Sequence, residues 1–201
     1  MKINNFDLIK NILNFQLEKF YYLQIICRGK DCGENKIINS YFIRTKEQLE
    51  KLEEEIIFLC EHYKARAYIN PNIRSFYELQ RLLLVKLSSL IYDNNVQNPK
   101  KTLGSAANSL KSTNPIWIID LDDTTLKDEV LLWLDNYFKL EPEIPFCSTR
   151  EELYLKGIIP TKQGLHLLTS PFNLKSFNSK FKDIDVHKNS GGTLLYYPSS
   201  I

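Results

Sequence analysis

The sequence predicts an α/β (α+β) fold: a mixed β-sheet with helices packed on it. Three observations predict it. Two stretches near the N-terminus are dense in β-branched and aromatic residues. Two segments behind them repeat apolar residues at helical spacing. An unbroken apolar run at residues 116–121 then opens a second series of short strands. Strands, helices and strands again suit a sheet covered on a face, not a helical bundle.

Residues 21–28 (YYLQIICR) and 36–44 (KIINSYFIR) read as two neighbouring strands joined by the polar, glycine-containing GKDCGEN. Thr45 opens a helix, with Gln48 three residues on as a capping box. Leu49, Leu52, Ile56, Leu59 and Tyr63 follow at helical spacing. Residues 65–70 (ARAYIN) form a short strand that stops at Pro71. Ser75 and Glu78 make a second capping box, and Leu79, Leu82, Leu83, Leu87, Leu90 and Ile91 mark one apolar face behind it. Residues 93–114 are rich in Asn, Ser, Lys, Gly and Pro and read as a long loop with one helical turn near 106–110. Within a single domain, that loop separates an N-terminal α/β portion (1–92) from a segment at 115–201 that carries the chemistry. IWIIDL (116–121) has the character of a central strand buried on both faces. A helix is expected over 126–140, short strands at 143–147, 165–169, 184–187 and 193–197, and a short helix at 174–181.

Composition narrows the function classes. The chain has 201 residues, 43% hydrophobic and 25% charged, which is ordinary for a globular protein with its own core. A net charge of +2 excludes a histone-like basic field, so any nucleic-acid contact must come from a local patch. Cys27, Cys32, Cys60 and Cys147 match no zinc module and are expected to be reduced. No apolar leader core and no membrane-length apolar run is present, so a cytoplasmic protein without a membrane partner is expected.

Three short motifs carry candidate chemistry. In Asp120-Leu121-Asp122, strand alternation puts both carboxylates on one side. Two carboxylates so placed repel unless a cation lies between them, and Mg²⁺ or Mn²⁺ suits that position. The plain alternative is an acidic helix start, in which Asp123 caps and Asp128 and Glu129 complement the dipole. In Thr161-Lys162-Gln163-Gly164-Leu165-His166, glycine permits close backbone approach, while lysine, threonine and histidine offer a charge, a hydroxyl and a ring donor to phosphate. The alternative is a turn with an exposed lysine and a packed histidine. In the third, Asp185 precedes Asn189-Ser190-Gly191-Gly192-Thr193, and the alternative is a simple hairpin.

Taken together, the order and types of these motifs resemble the archaeo-eukaryotic primase superfamily. The resemblance is nearest to the polymerase domain of bacterial end-joining ligases, over residues 116–198. Asp120-Leu121-Asp122 matches the first motif and Gly164-Leu165-His166 the second. Asp185 followed by Asn189, Gly192 and Thr193 matches the third. The resemblance implies an RRM-like palm core and metal-dependent nucleotidyl transfer on nucleoside triphosphates and nucleic acid, by a primase-polymerase-like enzyme. It places Mg²⁺ or Mn²⁺ at Asp120, Asp122 and Asp185. Nucleotide phosphate would lie near Thr161, Lys162, Gly164, His166 and Asn189. The run RAYINPNIR (66–74) offers an arginine for a triphosphate.

Two other readings compete. A non-catalytic nucleotide- or nucleic-acid-binding module would need the basic groups alone. Asp120-Leu121-Asp122-Asp123-Thr124 also fits the first motif of haloacid-dehalogenase-like phosphatases, with Ser148 or Thr149 as a second motif and Asp120 as nucleophile. That fold needs several further βα units, for which the remaining chain is short.

Overall fold

The computed structural model describes residues 1–94, 99–140 and 154–199. Strand β1 (Ile3–Asn4) leads into helix α1 (Phe6–Ile12), whose Phe6 and Ile9 are buried. Strand β2 (Lys19–Cys27), the single helical turn α2 (Gly29–Cys32) and strand β3 (Lys36–Ile43) form the expected hairpin. Helix α3 (Lys46–Tyr63) starts as its capping box requires, with Thr45 Oγ1 accepting from the Gln48 N–H at 3.1 Å. Strand β4 (Arg66–Ile69) and the short β5 (Arg74–Ser75) precede helix α4 (Phe76–Tyr92), where Ser75 Oγ accepts from the Glu78 N–H.

Helix α4 buries a narrower face than its spacing predicts. Leu79, Leu82 and Leu83 pack inward, whereas Ile91 is 63% exposed, as are Leu84 and Val85 to similar degrees. The stretch 93–114 is not one long loop, because it contains helix α5 (Pro99–Ser109). Its polar composition hides an apolar stripe of Leu103, Ala106, Ala107 and Leu110, which closes on Phe20, Tyr22 and Leu79. Proline at the first helical position has no amide proton to lose there.

Strand β6 (Trp117–Leu121) is followed by a 3₁₀ turn at Thr124–Leu126 and helix α6 (Lys127–Leu140). Then come β7 (Leu155–Pro160), β8 (Leu165–Thr169), helix α7 (Leu174–Lys180), β9 (Asp185–His187) and β10 (Thr193–Tyr197). The strand expected at 143–147, and Ser148 and Thr149, lie outside the described residues.

The α+β class holds, but the strands do not form one mixed sheet. They form two sheets, and every described pairing is antiparallel. The larger sheet runs β1-β10-β4-β2-β3, with β5 also on β2; the smaller runs β7-β8-β6-β9. The physical reason lies in β6, which is apolar on both faces and therefore needs cover on both. Ile119, Leu121 and Leu167 lie beneath α6 and α7, in a cluster with Phe177 and Trp133. Ile118, Leu168 and Ile159 face the other way, into the core of the larger sheet with Leu23, Ile25 and Ile56. Two sheets share that core, and the smaller one leaves it where β6 turns from Ile118 to Asp120.

Cys27 is disulfide-bonded, against the expectation of reduced thiols, because pairing depends on Sγ placement that spacing does not reveal. Cys60 is free and buried, and burial pushes its thiol up to about 12. Among the described residues, no helix is long and apolar enough to cross a membrane.

Candidate functional site

The strand register brings the three motifs together. Asp120 stands opposite His166 on β8 and opposite Asp185 on β9, so the pleat turns all three toward one side of the smaller sheet. This is also the side of Ile118, so the apolar seam between the sheets opens directly into a polar cleft. Nε2 of His166 faces Oδ1 of Asp120 at 3.4 Å. Its Nδ1 meets Thr193 Oγ1, on β10 of the larger sheet, at 3.0 Å. In the neutral ring with Nε2–H toward Asp120, Nδ1 accepts the threonine hydroxyl, which fixes the ring's orientation. Contact with His166 is the main cause that holds the Asp120 carboxyl below its ordinary range; burial opposes it, and His187 and Arg28 add to the lowering. Asp120 is therefore a carboxylate at neutral pH.

The turn between β7 and β8 closes on itself twice. Thr161 N–H donates to the Gly164 carbonyl at 2.9 Å, and Gly164 N–H donates to Thr161 Oγ1 at 3.0 Å. Gly164 is required for space. A Cβ there would lie 1.8 Å from the Leu121 carbonyl oxygen and 2.9 Å from Cα of Asp122. The close approach that glycine permits is thus to the backbone of the Asp120-Leu121-Asp122 motif itself, which locks the second motif onto the first.

The cleft has a volume of about 250 Å³. The smaller sheet contributes Asp120, Asp122, His166 and His187, and the turn contributes Thr161, Lys162 and Gln163. The larger sheet supplies what the motifs do not announce: Arg28 just past β2, Arg66 and Tyr68 on β4, and Tyr197 on β10. Tyr197 is a cationic platform, with the Arg66 guanidinium 4.8 Å and the Lys162 ammonium 5.1 Å from its ring centroid. Arg66 also pairs with Asp31 at 2.5 Å; burial works against its charge, but Tyr68 and Asp31 outweigh it and the net shift is upward.

Two expected residues lie elsewhere. Asn189 does not line the cleft. Its side-chain amide donates to the Leu110 carbonyl at 2.8 Å, while its backbone carbonyl accepts from Asn70 and from Arg74. Arg74, at the end of the 66–74 run, is buried beside it, and desolvation pulls its guanidinium down to about 10. Asp185 is exposed and stands next to Asp120 in the sheet without lining the cleft.

For a divalent ion, the cleft offers two carboxylates, Asp120 and Asp122. Among the described residues, no group of three or more His, Cys, Asp or Glu side chains stands close enough to hold a metal. Two carboxylates fit Mg²⁺ or Mn²⁺ when water and substrate phosphate complete the coordination. The phosphatase reading fares worse. It calls for parallel βα units, and both neighbours of β6 are antiparallel to it. No protein-family model, curated protein or solved structure matches the chain.

Proposed function

We propose that this protein is a metal-dependent nucleotidyltransferase, primase-polymerase-like, that joins nucleoside triphosphates to a nucleic-acid acceptor in this cleft. The observation that carries the reading is the alignment of the three motifs across β8, β6 and β9, with His166 on Asp120 and Gly164 against Leu121. The register sets His166, Asp120 and Asp185 side by side although they lie far apart in the sequence, as a site built on these motifs requires, while Asp123 caps the turn that follows.

Each residue has a separate task. Lys162, Arg28 and Arg66 neutralise triphosphate charge at the wall opposite the carboxylates. Thr161 and the turn amides offer further donors to phosphate oxygens. His166, tied at Nδ1 by Thr193, presents its Nε2 edge beside Asp120, where charge develops as pyrophosphate leaves. Asp120 and Asp122 would hold Mg²⁺ or Mn²⁺, which when bound supplies charge neutralisation and lowers the pKa of an attacking hydroxyl. Asp185, adjacent in the sheet, adds negative potential and is the nearest candidate for a third carboxylate.

A non-catalytic nucleotide-binding module would need only the basic groups, Arg28, Arg66 and Lys162, which line the cleft. Calorimetry with a nucleoside triphosphate, with and without Mn²⁺, separates the two. Nucleotidyl transfer requires tight binding that depends on Mn²⁺, plus incorporation into a primer that Asp120→Ala abolishes without changing the melting profile. Equal binding without metal, or unchanged incorporation by Asp120→Ala, overturns the enzyme reading.

A further inference from the structure

The cleft is not closed. Arg28, Tyr68, His187 and Gly192 line a second hollow of about 230 Å³, which adds Gln24, Asn70 and Asn108. Gln24 and Asn108, with Tyr22, line a third hollow of about 600 Å³ between the β2–β3 hairpin and α5. The three hollows therefore share walls, and they form one groove that leads from Asp120 across the face of β2 that carries Tyr22, Gln24 and Ile26 to the start of α5. Its charge is one-sided. Arg28 lies at the inner end and Lys36, Lys100 and Lys101 at the outer, while none of the described residues that line the second and third hollows is acidic. In a chain whose net charge is only +2, this is a concentrated basic track.

We propose that this groove carries the sugar–phosphate backbone of a single nucleic-acid strand, whose end is delivered to the Asp120–His166 cleft. The inference rests on the nucleotidyl-transfer reading for which end of the strand enters the cleft. The groove's own chemistry selects the ligand. Lysines act as point charges for phosphates and position a strand without reading it. Between them lie the side-chain amides of Gln24 and Asn108, each of which pairs a donor with an acceptor and suits base edges and sugars. An acidic peptide would use the lysines but leave these two amides idle. The floor of the outer hollow is fixed by packing, since a Cβ on Gly104 of α5 would meet the Tyr22 hydroxyl at 2.9 Å.

The test measures binding of a fluorescent single-stranded oligonucleotide of about 16 nucleotides, near the upper site size of compact strand-binding folds. The triple variant Lys36→Gln, Lys100→Gln, Lys101→Gln should bind on the order of 10–100-fold more weakly at about 0.1 M salt, with a log K against log salt slope shallower by about 2. Replacing three exposed lysines outside the groove, Lys46, Lys51 and Lys175, by Gln should leave affinity near the parent's. Ser190→Trp, which fills the middle hollow without a charge change, should weaken binding at an unaltered net charge. Parent-like affinity and slope in the groove variant overturn the proposal. So does displacement of the strand by polyglutamate as readily as by unlabelled oligonucleotide, or tighter binding of a duplex than of its single strand. If the parent incorporates no nucleotide yet holds the strand through these lysines, the catalytic reading falls and the groove stands.

Discussion

Gly164→Ala is the sharpest test of how the site is assembled. The added Cβ would lie 1.8 Å from the Leu121 carbonyl oxygen, with the Leu121 carbonyl carbon at 2.8 Å and Asp122 Cα at 2.9 Å. All three neighbours are backbone, so no side chain can rotate away. Either the β7–β8 turn withdraws or the end of β6 bends. Overpacking of this kind costs about 1–3 kcal/mol. Withdrawal of the turn also lengthens the two Thr161–Gly164 hydrogen bonds, each worth about 0.5–1.5 kcal/mol. The combined loss is about 2–6 kcal/mol, which for a chain of this size lowers Tm by roughly 4–24 °C at about 2–4 °C per kcal/mol. Two comparisons isolate the cause. Thr161→Val removes one hydrogen bond and should cost no more than about 1.5 kcal/mol. Gly33→Ala meets no atom within 4 Å but sits at φ +90°, so its cost, of order 1 kcal/mol, is backbone strain alone. Thermal melts and urea titrations of the three variants decide. A Gly164→Ala protein that melts within about 1 °C of the parent would refute the contact between the second motif and the first.

Three further outcomes follow from the same geometry. Lys162→Ala should weaken triphosphate binding by about 1.5–3 kcal/mol, the value of a charge-assisted hydrogen bond, while the lost contact with the Tyr197 ring lowers stability by no more than about 1 kcal/mol; calorimetry beside a melt measures both. Because the folded-state pKa of Asp120 is depressed, its stabilisation is present above the unfolded carboxyl value of about 3.9 and is lost as pH falls through the lower folded one. The stability gap between the parent and Asp120→Asn should then shrink as pH falls below about 4, and a gap that stays unchanged as pH is taken down to about 2 would contradict the assignment. Cys60, with its thiol pushed up to about 12 by burial, should resist iodoacetamide at pH 8 in the folded protein and react after denaturation, as peptide mass analysis would read.

Most elements of the fold were legible because their patterns are local. The capping residues Thr45 and Ser75 sit where the helices start, and β2 and β3 cover the residues that their β-branched and aromatic runs mark. Helix α1 was hidden because seven residues hold too few turns for a period to stand out. Strand β7 was hidden because Gly157 and Pro160 break its pattern. Gly157 is there for packing, since a Cβ would strike Ile12 of α1 at 2.4 Å. Helix α5 was masked by polar residues on its solvent side. The division into two sheets was not legible at all, since pairing partners far apart in the chain leave no mark on local spacing.

The candidate site divides along the same line. Asp120, Asp122, Thr161, Lys162 and His166 were legible because each lies in or beside a strand whose alternation sets its side, and they all reach the cleft. Arg28, Arg66, Tyr68 and Tyr197 come from the larger sheet, singly, from positions that no motif links. Their side chains meet at the cleft because β4 pairs with β10 on one side, Tyr196 opposite Ala67, and with β2 on the other, Ile26 opposite Arg66. That pairing has a functional consequence. Asp120 and Asp122 belong to the smaller sheet and both arginines to the larger, so the cleft depends on the core the sheets share, built on Ile118, Leu168, Leu23 and Ile25. His166 spans the divide, with one ring nitrogen on Asp120 of the smaller sheet and the other on Thr193 of the larger. It therefore ties the carboxylate side of the cleft directly to the sheet that supplies the arginines.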